Sequence, residues 1–390
     1  MKAGNSILSS FGTTIFETMS RLAAVHGAVN LGQGFPEGLE PPELLERLAA
    51  AARTGPHQYP SMMGTPELRA AVAAHEARHW GLEVDPMAEV MVTSGATEAL
   101  AACFFGMIEP GDEVVLIEPL YDSYLPIIRR AGGVPKLVRI QPPDWSLPRA
   151  ELAAAFGPKT KLLVLNTPTN PAGKVYDADE LAFLAELCQR WNAFAVCDEV
   201  YEHLVYDDRR HTPLATLPGM RERCLKIGSA GKIFSLTGWK VGWVVAPPPL
   251  LVPVVKAHQY LTFTTPPELQ AAVAWGLENC AGYIESLPKV LAARRDRLSA
   301  GLAAIGFQPL TAAGSYFLSA DFRPLGFNGD DQAFCRHITE AAGVTAIPVS
   351  AFYQNADVAH IARFCFAKTD EAIDRALERL AKFFAQGSLA

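Results

Sequence analysis

The stretch CLKIGSAGKIFSLTGWKVG, residues 224–242, carries the pattern on which the interpretation of the fold rests. Its opening run, residues 224–227, predicts a strand. Small and aromatic residues then surround Lys232, and Lys240 follows eight positions later. A lysine among glycine, alanine and aromatic residues is poorly hydrated, which lowers its pKa and makes its amine nucleophilic. The stretch therefore predicts a strand end that presents a reactive amine, with a second positive charge nearby.

Outward from this stretch, short apolar runs alternate with longer segments of helical period. The other predicted strands are residues 90–92, 113–117, 161–165, 194–197 and 242–245. The predicted helices are residues 42–53, 66–79, 98–108, 123–131, 149–156 and 178–191. This alternation predicts an α/β fold with a mostly parallel, doubly wound sheet.

The two ends of the chain depart from this alternation. Helical sequence dominates residues 250–304, and predicted strands at 315–320, 344–347 and 361–366 indicate a smaller α+β domain. Residues 1–41 mix glycine, proline and short apolar runs, which predicts an arm and not a packed element. We therefore predict an N-terminal arm over 1–41 that joins the small domain, a large domain over 42–280 and the small domain over 281–390.

The composition narrows the classes of function. The 390 residues are 49% apolar and carry a net charge of -7 without blocks of one sign, so we expect no nucleic-acid partner. The seven cysteines form no CxxC pair, and we expect no metal. Neither a signal peptide nor a segment long enough to cross a bilayer is evident, which predicts a cytoplasmic protein without a membrane partner.

Polar residues follow several predicted strands, where open α/β sheets bind their ligands. Residues 93–98 open a helix whose free N–H groups favour an anion such as phosphate. Residues 166–171 place two asparagines in a loop that prolines stiffen. Asp198 ends a strand, and Tyr201 follows three residues later. Each motif alone also fits a helix cap or a turn, but together they predict one crevice that includes Lys232.

In their order along the chain, these motifs resemble the class I/II aminotransferases of the aspartate aminotransferase fold. The motifs are VNLGQGFP at 29–36, SGATEAL at 94–100, NTPTNP at 166–171, the stretch 229–239, and RFCF at 363–366. The branch that contains methionine aminotransferases, kynurenine–oxoglutarate transaminases and glutamine transaminase K is the most similar. The resemblance implies fold type I, pyridoxal 5'-phosphate as the cofactor, and ping-pong transfer of the amino group of an uncharged L-amino acid to a 2-oxo acid.

The resemblance also implies roles around the cofactor ring. Lys232 would bond to the cofactor and move the proton at the substrate Cα. Asp198 would bind the pyridine nitrogen, and Asn170 and Tyr201 would contact the phenolic oxygen. Tyr121 would stack on the ring face.

The implied phosphate ligands are Gly95, Ala96, Thr97, Ser229 and Lys240. Many members of the family have arginine at the position of Lys240, so this chain loses a bidentate contact there but keeps the charge. Tyr59 resembles the tyrosine that reaches the phosphate of the neighbouring subunit. The resemblance therefore implies a homodimer whose active sites lie at the subunit interface.

The implied substrate-binding residues are Arg363, Asn170, Gly34, Phe16 and Phe263. The planar guanidinium of Arg363 suits the α-carboxylate, with the asparagine and the glycine backbone assisting. The two phenylalanines would line the side-chain pocket, which favours donors such as methionine, glutamine, phenylalanine or kynurenine over aspartate. Thr264 stands where some kynurenine-type members have histidine, so the resemblance is weaker for kynurenine itself.

Other readings of the same residues stay open. A cysteine-S-conjugate β-lyase would use the same side chains but release pyruvate and ammonia. Residues 229–232 also fit the S-x-x-K pattern of penicillin-recognising enzymes, although the partner motifs are missing. A non-catalytic sensor of this fold would need a DNA-binding domain, for which the arm is too short. The GQG at 32–34 lacks the strand and helix of a dinucleotide site.

Overall fold

The computed structural model describes residues 4–355 and 358–386. Its strands are β1 (Val29–Asn30), β2 (Val90–Thr93), β3 (Glu113–Glu118), β4 (Val134–Arg139), β5 (Thr160–Asn166), β6 (Phe194–Asp198), β7 (Cys224–Ser229), β8 (Gly242–Val245), β9 (Gln308–Pro309), β10 (Phe317–Asp321), β11 (Val344–Thr345), β12 (Ile347–Pro348) and β13 (Ile361–Cys365). The strand predicted over 344–347 is thus divided into β11 and β12.

The α-helices are α1 (Ser6–Ser9), α2 (Ile15–His26), α3 (Pro42–Thr54), α4 (Pro66–Trp80), α5 (Gly95–Met107), α6 (Tyr124–Ala131), α7 (Arg149–Ala155), α8 (Ala178–Arg190), α9 (Ala230–Ile233), α10 (Pro248–Leu261), α11 (Pro267–Asn279), α12 (Ala281–Ile305), α13 (Asp331–His337) and α14 (Asp370–Ala385). Among the described helices, none has both the length and the apolar character needed to cross a membrane.

A seven-stranded sheet in the order β2-β8-β7-β6-β5-β3-β4 forms the centre of the molecule. Adjacent strands of this sheet run parallel, except that β8 is antiparallel to both β2 and β7. Alternate residues enter opposite apolar clusters: Leu116 and Val164 pack on one face, and Val115 and Leu163 pack on the other. Both faces of the sheet are therefore buried, and the predicted doubly wound, mostly parallel α/β fold is confirmed.

The edge strand β4 was not predicted from the sequence. Val138 is its one fully buried side chain, while Val134 is exposed and Pro135 cannot donate a hydrogen bond. Such a half-buried strand with an early proline is typical of a sheet edge. It lacks the continuous apolar run by which the inner strands were predicted.

The N-terminal segment differs from the unpacked arm that we expected. Thr14 caps α2 by accepting a hydrogen bond from the Glu17 amide, and Met19 and Ala23 are buried one helical turn apart. The strand β1 then pairs in parallel with β11. The expectation was wrong because the glycines and prolines at both ends of the segment obscured a capped helix of twelve residues.

The C-terminal region contains a second sheet in the order β12-β13-β10-β9. Its adjacent strands are all antiparallel. Helix α12 begins at Ala281, where we predict the domain boundary. Arg363 lies in the middle of β13, paired in register with Ser319 and Ile347. This sheet therefore holds the arginine rigidly.

Candidate active site

A cavity of about 440 Å³ opens where the parallel strands of the large sheet end. Ten of the predicted site residues line it: Phe16, Gly34, Ala96, Thr97, Tyr121, Asn170, Asp198, Tyr201, Lys232 and Arg363. The ends of β5 and β6 lie side by side, with Asn166 in register with Asp198. The fold thus brings together side chains from distant parts of the sequence.

Lys232 lies in the short helix α9, directly after β7. Its Nζ donates a hydrogen bond of 2.7 Å to Tyr316 Oη, and that phenol donates to the Gly34 carbonyl at 2.7 Å. Burial lowers the pKa of Lys232 to about 8. Roughly a tenth of this amine is therefore neutral and nucleophilic at pH 7, far more than for an ordinary lysine.

Asp198 is the last residue of β6 and is almost completely buried. Its Oδ2 accepts a 2.5 Å hydrogen bond from Tyr124 Oη, whereas Oδ1 has no hydrogen-bond partner among the described residues. Burial raises the pKa of Asp198 to about 6. A buried carboxylate oxygen without a partner is costly, and a cationic or N–H donor ligand would satisfy it.

Hydrogen bonds fix the loop that carries Asn170 against β6. The Asn170 amide donates to Asn166 Oδ1 at 2.8 Å, and Asn166 Nδ2 donates to the Asp198 carbonyl at 3.0 Å. Tyr201 packs edge-on against Tyr316, with ring centroids 5.1 Å apart, and burial raises the pKa of its phenol. Asn170 and Tyr201 are thereby held in place with their polar groups in the cavity wall.

Arg363 is a buried cation without a carboxylate within 4 Å among the described residues. Its Nη1 donates to Asn170 Oδ1 at 2.7 Å, and Nη2 donates to the Gly32 carbonyl at 2.6 Å. Its Nε has no hydrogen-bond partner within residues 4–355 and 358–386, and the guanidinium lies 3.9 Å from the Phe317 ring centroid. Burial lowers the pKa of Arg363 to about 10. Such a site favours an anionic ligand.

Three of the predicted phosphate ligands, Gly95, Ser229 and Lys240, lie beside the cavity and not in its wall. A Cβ atom on Gly95, which has φ +74°, would meet Lys240 Cε at 3.3 Å, so the lysine passes close over the start of α5. Ser229 pairs in register with Gly242, whose own Cβ would meet the Gly95 backbone at 2.9 Å. A cation, a hydroxyl and a helix N-terminus therefore meet next to Ala96, an arrangement that suits a phosphate.

Tyr59 and Phe263 do not reach the cavity within one chain. Their rings pack edge-on, with centroids 5.9 Å apart, and their exposed fractions are 85% and 42%. Tyr59 lines a separate surface cleft formed by residues 57–60 and 264–268, and Phe263 directly precedes the second of these segments. Neither residue is among the described residues that line the active-site cavity.

Two tyrosines of the site were missed in the sequence analysis. Tyr316 holds Lys232, and Tyr124 holds Asp198. These contacts join residues 84 and 74 positions apart, and neither tyrosine directly follows a predicted strand. The residues around each gave no local signal of a role in the site.

The side chains fit pyridoxal 5'-phosphate, the cofactor that the resemblance implies. Asp198 Oδ1 has no hydrogen-bond partner in the described part of the chain, and a protonated ring nitrogen would supply one. Lys232 is an amine of lowered pKa that can react with an aldehyde. The start of α5 with Lys240 suits the phosphate, and Tyr121 offers an aromatic face in the cavity wall.

Comparisons with known proteins agree with this fit. Residues 27–380 match the family model of aminotransferase class I and II. The chain is 46% identical to N-succinyldiaminopimelate aminotransferase from Mycobacterium tuberculosis, whose solved structure covers 97% of this chain and 100% of its own, with a TM-score of 0.95. It is 40% identical to kynurenine–oxoglutarate transaminase 1 of Mus musculus, covering 92% of each chain. It is 39% identical to methionine aminotransferase of Escherichia coli, covering 96% of this chain and 97% of that protein.

The predicted branch, with methionine aminotransferases and kynurenine–oxoglutarate transaminases, is thereby confirmed. The family match spans both the large sheet and the C-terminal region that carries Arg363. The chain therefore belongs to the class I and II aminotransferases, which are pyridoxal-phosphate-dependent enzymes.

Proposed function

We propose that this aminotransferase moves the α-amino group of an uncharged L-amino acid, of the methionine, glutamine, aromatic or kynurenine-like class, to a 2-oxo acid by a ping-pong mechanism. The observation that carries the proposal is the charge of the cavity wall. Among the described residues that line it, Lys232 and Arg363 are the cations, and Asp122 adds a carboxylate. One cation is needed for the reaction and one for the α-carboxylate, so none remains for an acidic side chain.

The apolar part of the wall supports the same class of donor. Phe16, Tyr121 and Phe317 line the cavity, and the Phe16 ring lies 5.1 Å from the Arg363 guanidinium. A substrate whose α-carboxylate binds this arginine would place its side chain near these rings. Aromatic and thioether side chains gain from such contacts, whereas a carboxylate would lose its hydration.

Each side chain of the site has a distinct task in the proposed reaction. When bound, pyridoxal phosphate supplies an electron sink for the negative charge that develops at the substrate Cα. Lys232, neutral in part near pH 8, takes and returns the proton at that carbon, while its hydrogen bond to Tyr316 orients the amine. Asp198 keeps the ring nitrogen protonated, and Asn170 and Tyr201 hydrogen-bond the phenolic oxygen.

The exposed pair Tyr59 and Phe263 supports the proposal of a homodimer. Both rings lie at the surface and outside the cavity, where a second copy could receive them. We infer that Tyr59 reaches the phosphate of the partner subunit and that Phe263 completes its side-chain pocket. All seven cysteines are free thiols, which suits the cytoplasmic location that we also propose.

The 46% identity to N-succinyldiaminopimelate aminotransferase favours a second candidate substrate. This substrate, N-succinyldiaminopimelate, is a longer amino acid with carboxylates beyond the one on Cα. Its binding would require a cation that the cavity wall of one chain lacks, so the partner subunit would have to supply it. We therefore rank it behind the uncharged donors.

A substrate panel separates the two candidates. We expect kcat/KM for methionine, glutamine or phenylalanine to exceed that for aspartate and for N-succinyl-LL-diaminopimelate by about 10-fold to 200-fold, the range that one pocket contact supplies. The measurement is amino transfer to several 2-oxo acids by the purified holoenzyme. A preference for either acidic donor contradicts the proposal, and release of ammonia and pyruvate from cysteine conjugates without amino transfer would favour the β-lyase.

A further inference from the structure

A group of histidine and glutamate side chains lies behind the turn that carries Asp198 and Tyr201. Those two residues line the active-site cavity, whereas Glu199 and Glu202, which alternate with them, are buried away from it. Around these glutamates gather His75, His79, His203, His211 and Glu76. We call these seven residues the histidine–glutamate cluster.

We propose that this cluster binds one divalent transition-metal ion of the zinc type, held by His75, His203 and Glu202. One ligand atom from each of these three residues lies within 4.8 Å of the others. The Nε2 atoms of the two histidines are 2.8 Å apart. Ligands of a tetrahedral zinc ion with bonds of about 2.0–2.1 Å lie about 3.3 Å apart, so small shifts of the rings would admit the ion.

The two proposed histidine ligands lie in a packed group of imidazole rings. The His79 ring packs against both, with centroids 4.5 Å from His75 and 4.8 Å from His203. Imidazole nitrogens are common ligands of zinc-type ions. This packing therefore holds the two ligands in one place.

The buried charges of the cluster leave a place for a positive ion. Lys226 is completely buried and donates to Glu76 Oε1 at 2.7 Å and to Glu202 Oε2 at 2.6 Å, with Glu199 at 4.0 Å. Three carboxylates thus surround one ammonium group. Glu202 Oε1 and Glu199 Oε1 are buried without partners among the described residues. Glu202 can therefore keep its contact with Lys226 and offer its free oxygen to a metal.

The second group of possible ligands at this place shares Glu202 with the first. It joins Glu202 to Glu199 and His211, and His211 Nε2 lies 2.9 Å from Glu199 Oε2. Zinc-type ions favour imidazole ligands, and the first group offers two histidines where the second offers one. We therefore assign the ion to the group with two histidines.

The cluster is accessible from solvent. A surface cleft of about 450 Å³ is lined by His79, Trp80, Glu202, His203 and His211, and His203 is half-buried at its floor. Such a cleft gives a metal a path of entry and leaves a fourth position for water. The ion would bind on the opposite side of the turn from the active-site cavity, without displacing any residue of that site.

The proposal is tested by titration of the holoenzyme with Co²⁺ alone after removal of metals with a chelator. We expect one equivalent to bind, with the strong visible absorption of tetrahedral Co²⁺, and Zn²⁺ to displace it. His203→Gln and His75→Gln should each weaken binding at least about 10-fold. The matched control is His79→Gln, which removes a histidine of the same cleft that supplies none of the three ligand atoms.

The stability of each variant guards against a loss of binding through misfolding. The absorbance of bound cofactor and the amino-transfer rate show whether each protein is folded. Zn²⁺ should raise Tm for the unaltered enzyme and for His79→Gln, but not for His203→Gln or His75→Gln. The proposal fails if the unaltered enzyme binds no Co²⁺, or if folded His203→Gln and His75→Gln bind it as tightly as the His79→Gln control.

Discussion

The two sides of the turn between Asp198 and His203 differ in how their buried charges are paired. On the active-site side, Asp198 and Arg363 are single buried charges, each with an atom that lacks a hydrogen-bond partner among the described residues. On the other side, Lys226 is enclosed by Glu76 and Glu202 in short ion pairs, although one oxygen of each carboxylate is likewise without a partner in the described part of the chain. The unpartnered atoms on the active-site side are costly to bury, and a bound ligand would remove that cost. The ion pairs around Lys226 connect the helix α4, the strand β7 and the turn.

This contrast separates what the enzyme needs for the reaction from what it needs for its shape. Replacing a residue whose buried charge is paired only when a ligand binds should lower turnover. The same replacement should change stability little, or should even increase it. A residue whose charge is already paired should matter for stability first. The turn carries both kinds within a few residues: Asp198 and Tyr201 line the cavity, whereas Glu199 and Glu202 are buried away from it.

The largest effect that we expect is on the active-site side. Lys232→Ala removes the one lysine amine among the described residues of the cavity wall, so turnover should fall by about 10⁴-fold. The measurement is the half-reaction: a stoichiometric amino acid bleaches the cofactor absorbance of the unaltered enzyme, and a 2-oxo acid restores it.

The matched control for Lys232→Ala is Lys161→Ala, which removes an amine from the same sheet whose Nζ lies 5.6 Å from the Phe194 ring centroid. Borohydride treatment of the holoenzyme followed by peptide mapping should find the reduced cofactor on Lys232. A bleaching rate near that of the unaltered enzyme in Lys232→Ala would mean that another side chain moves the proton.

The second effect is on the cluster side, and it should appear in stability. Lys226→Met leaves Glu76 and Glu202 buried without their cation, which should lower the free energy of unfolding by about 3–5 kcal/mol. The measurement is denaturant unfolding of the holoenzyme at fixed cofactor concentration. Lys136→Met, which breaks the more exposed ion pair with Glu113, should cost less than about 1 kcal/mol.

A small effect of Lys226→Met on the free energy of unfolding would contradict the distinction between the two sides of the turn. If the free energy of unfolding changed as little as in the Lys136→Met control, the carboxylates would have to take up protons in place of the lost cation. The ion pairs around Lys226 would then contribute little to the stability of the fold.

The active site was easier to predict from the sequence than the cluster, for a physical reason. Asn166, Asp198 and Lys232 each lie at or just beyond the end of a central strand, and strand ends of a parallel sheet meet at one edge. The order of strong apolar runs was therefore enough to bring these side chains together. The family motifs added the roles, and they also supplied residues that no predicted strand end indicated, such as Arg363 and Gly34.

The cluster has no such local pattern. His75 is in the helix α4 and His203 is in a turn 128 residues later, so their contact depends on how that helix packs on the sheet. Our expectation of no metal considered cysteine spacing and did not consider histidines that only the fold brings together. The helix α2 and the edge strand β4 were missed for a similar reason, since their burial is partial and set by their neighbours.

The third and smallest effect is a pH dependence of apoenzyme stability that Asp198 should cause. Burial raises the pKa of Asp198 to about 6 in the folded chain, above the value of about 3.9 for a free aspartate. Between these values the folded apoenzyme binds more protons than the unfolded chain, so this residue lowers stability as pH rises through that window. Asp198→Asn should therefore stabilise the apoenzyme by up to about 2–3 kcal/mol at pH 7 and by less than about 1 kcal/mol at pH 4.

The same substitution should lower the amino-transfer rate of the holoenzyme, although it stabilises the apoenzyme. The rate falls because asparagine cannot hold a proton on the ring nitrogen. The measurement is denaturant unfolding of the apoenzyme at several pH values beside the amino-transfer rate of the holoenzyme. Asn can still accept the hydrogen bond from Tyr124, so that contact is not lost with the charge. An apoenzyme that is less stable at pH 7 as Asp198→Asn than with Asp198 would show that the carboxylate is already satisfied without a ligand, and the distinction between the two sides of the turn would fall.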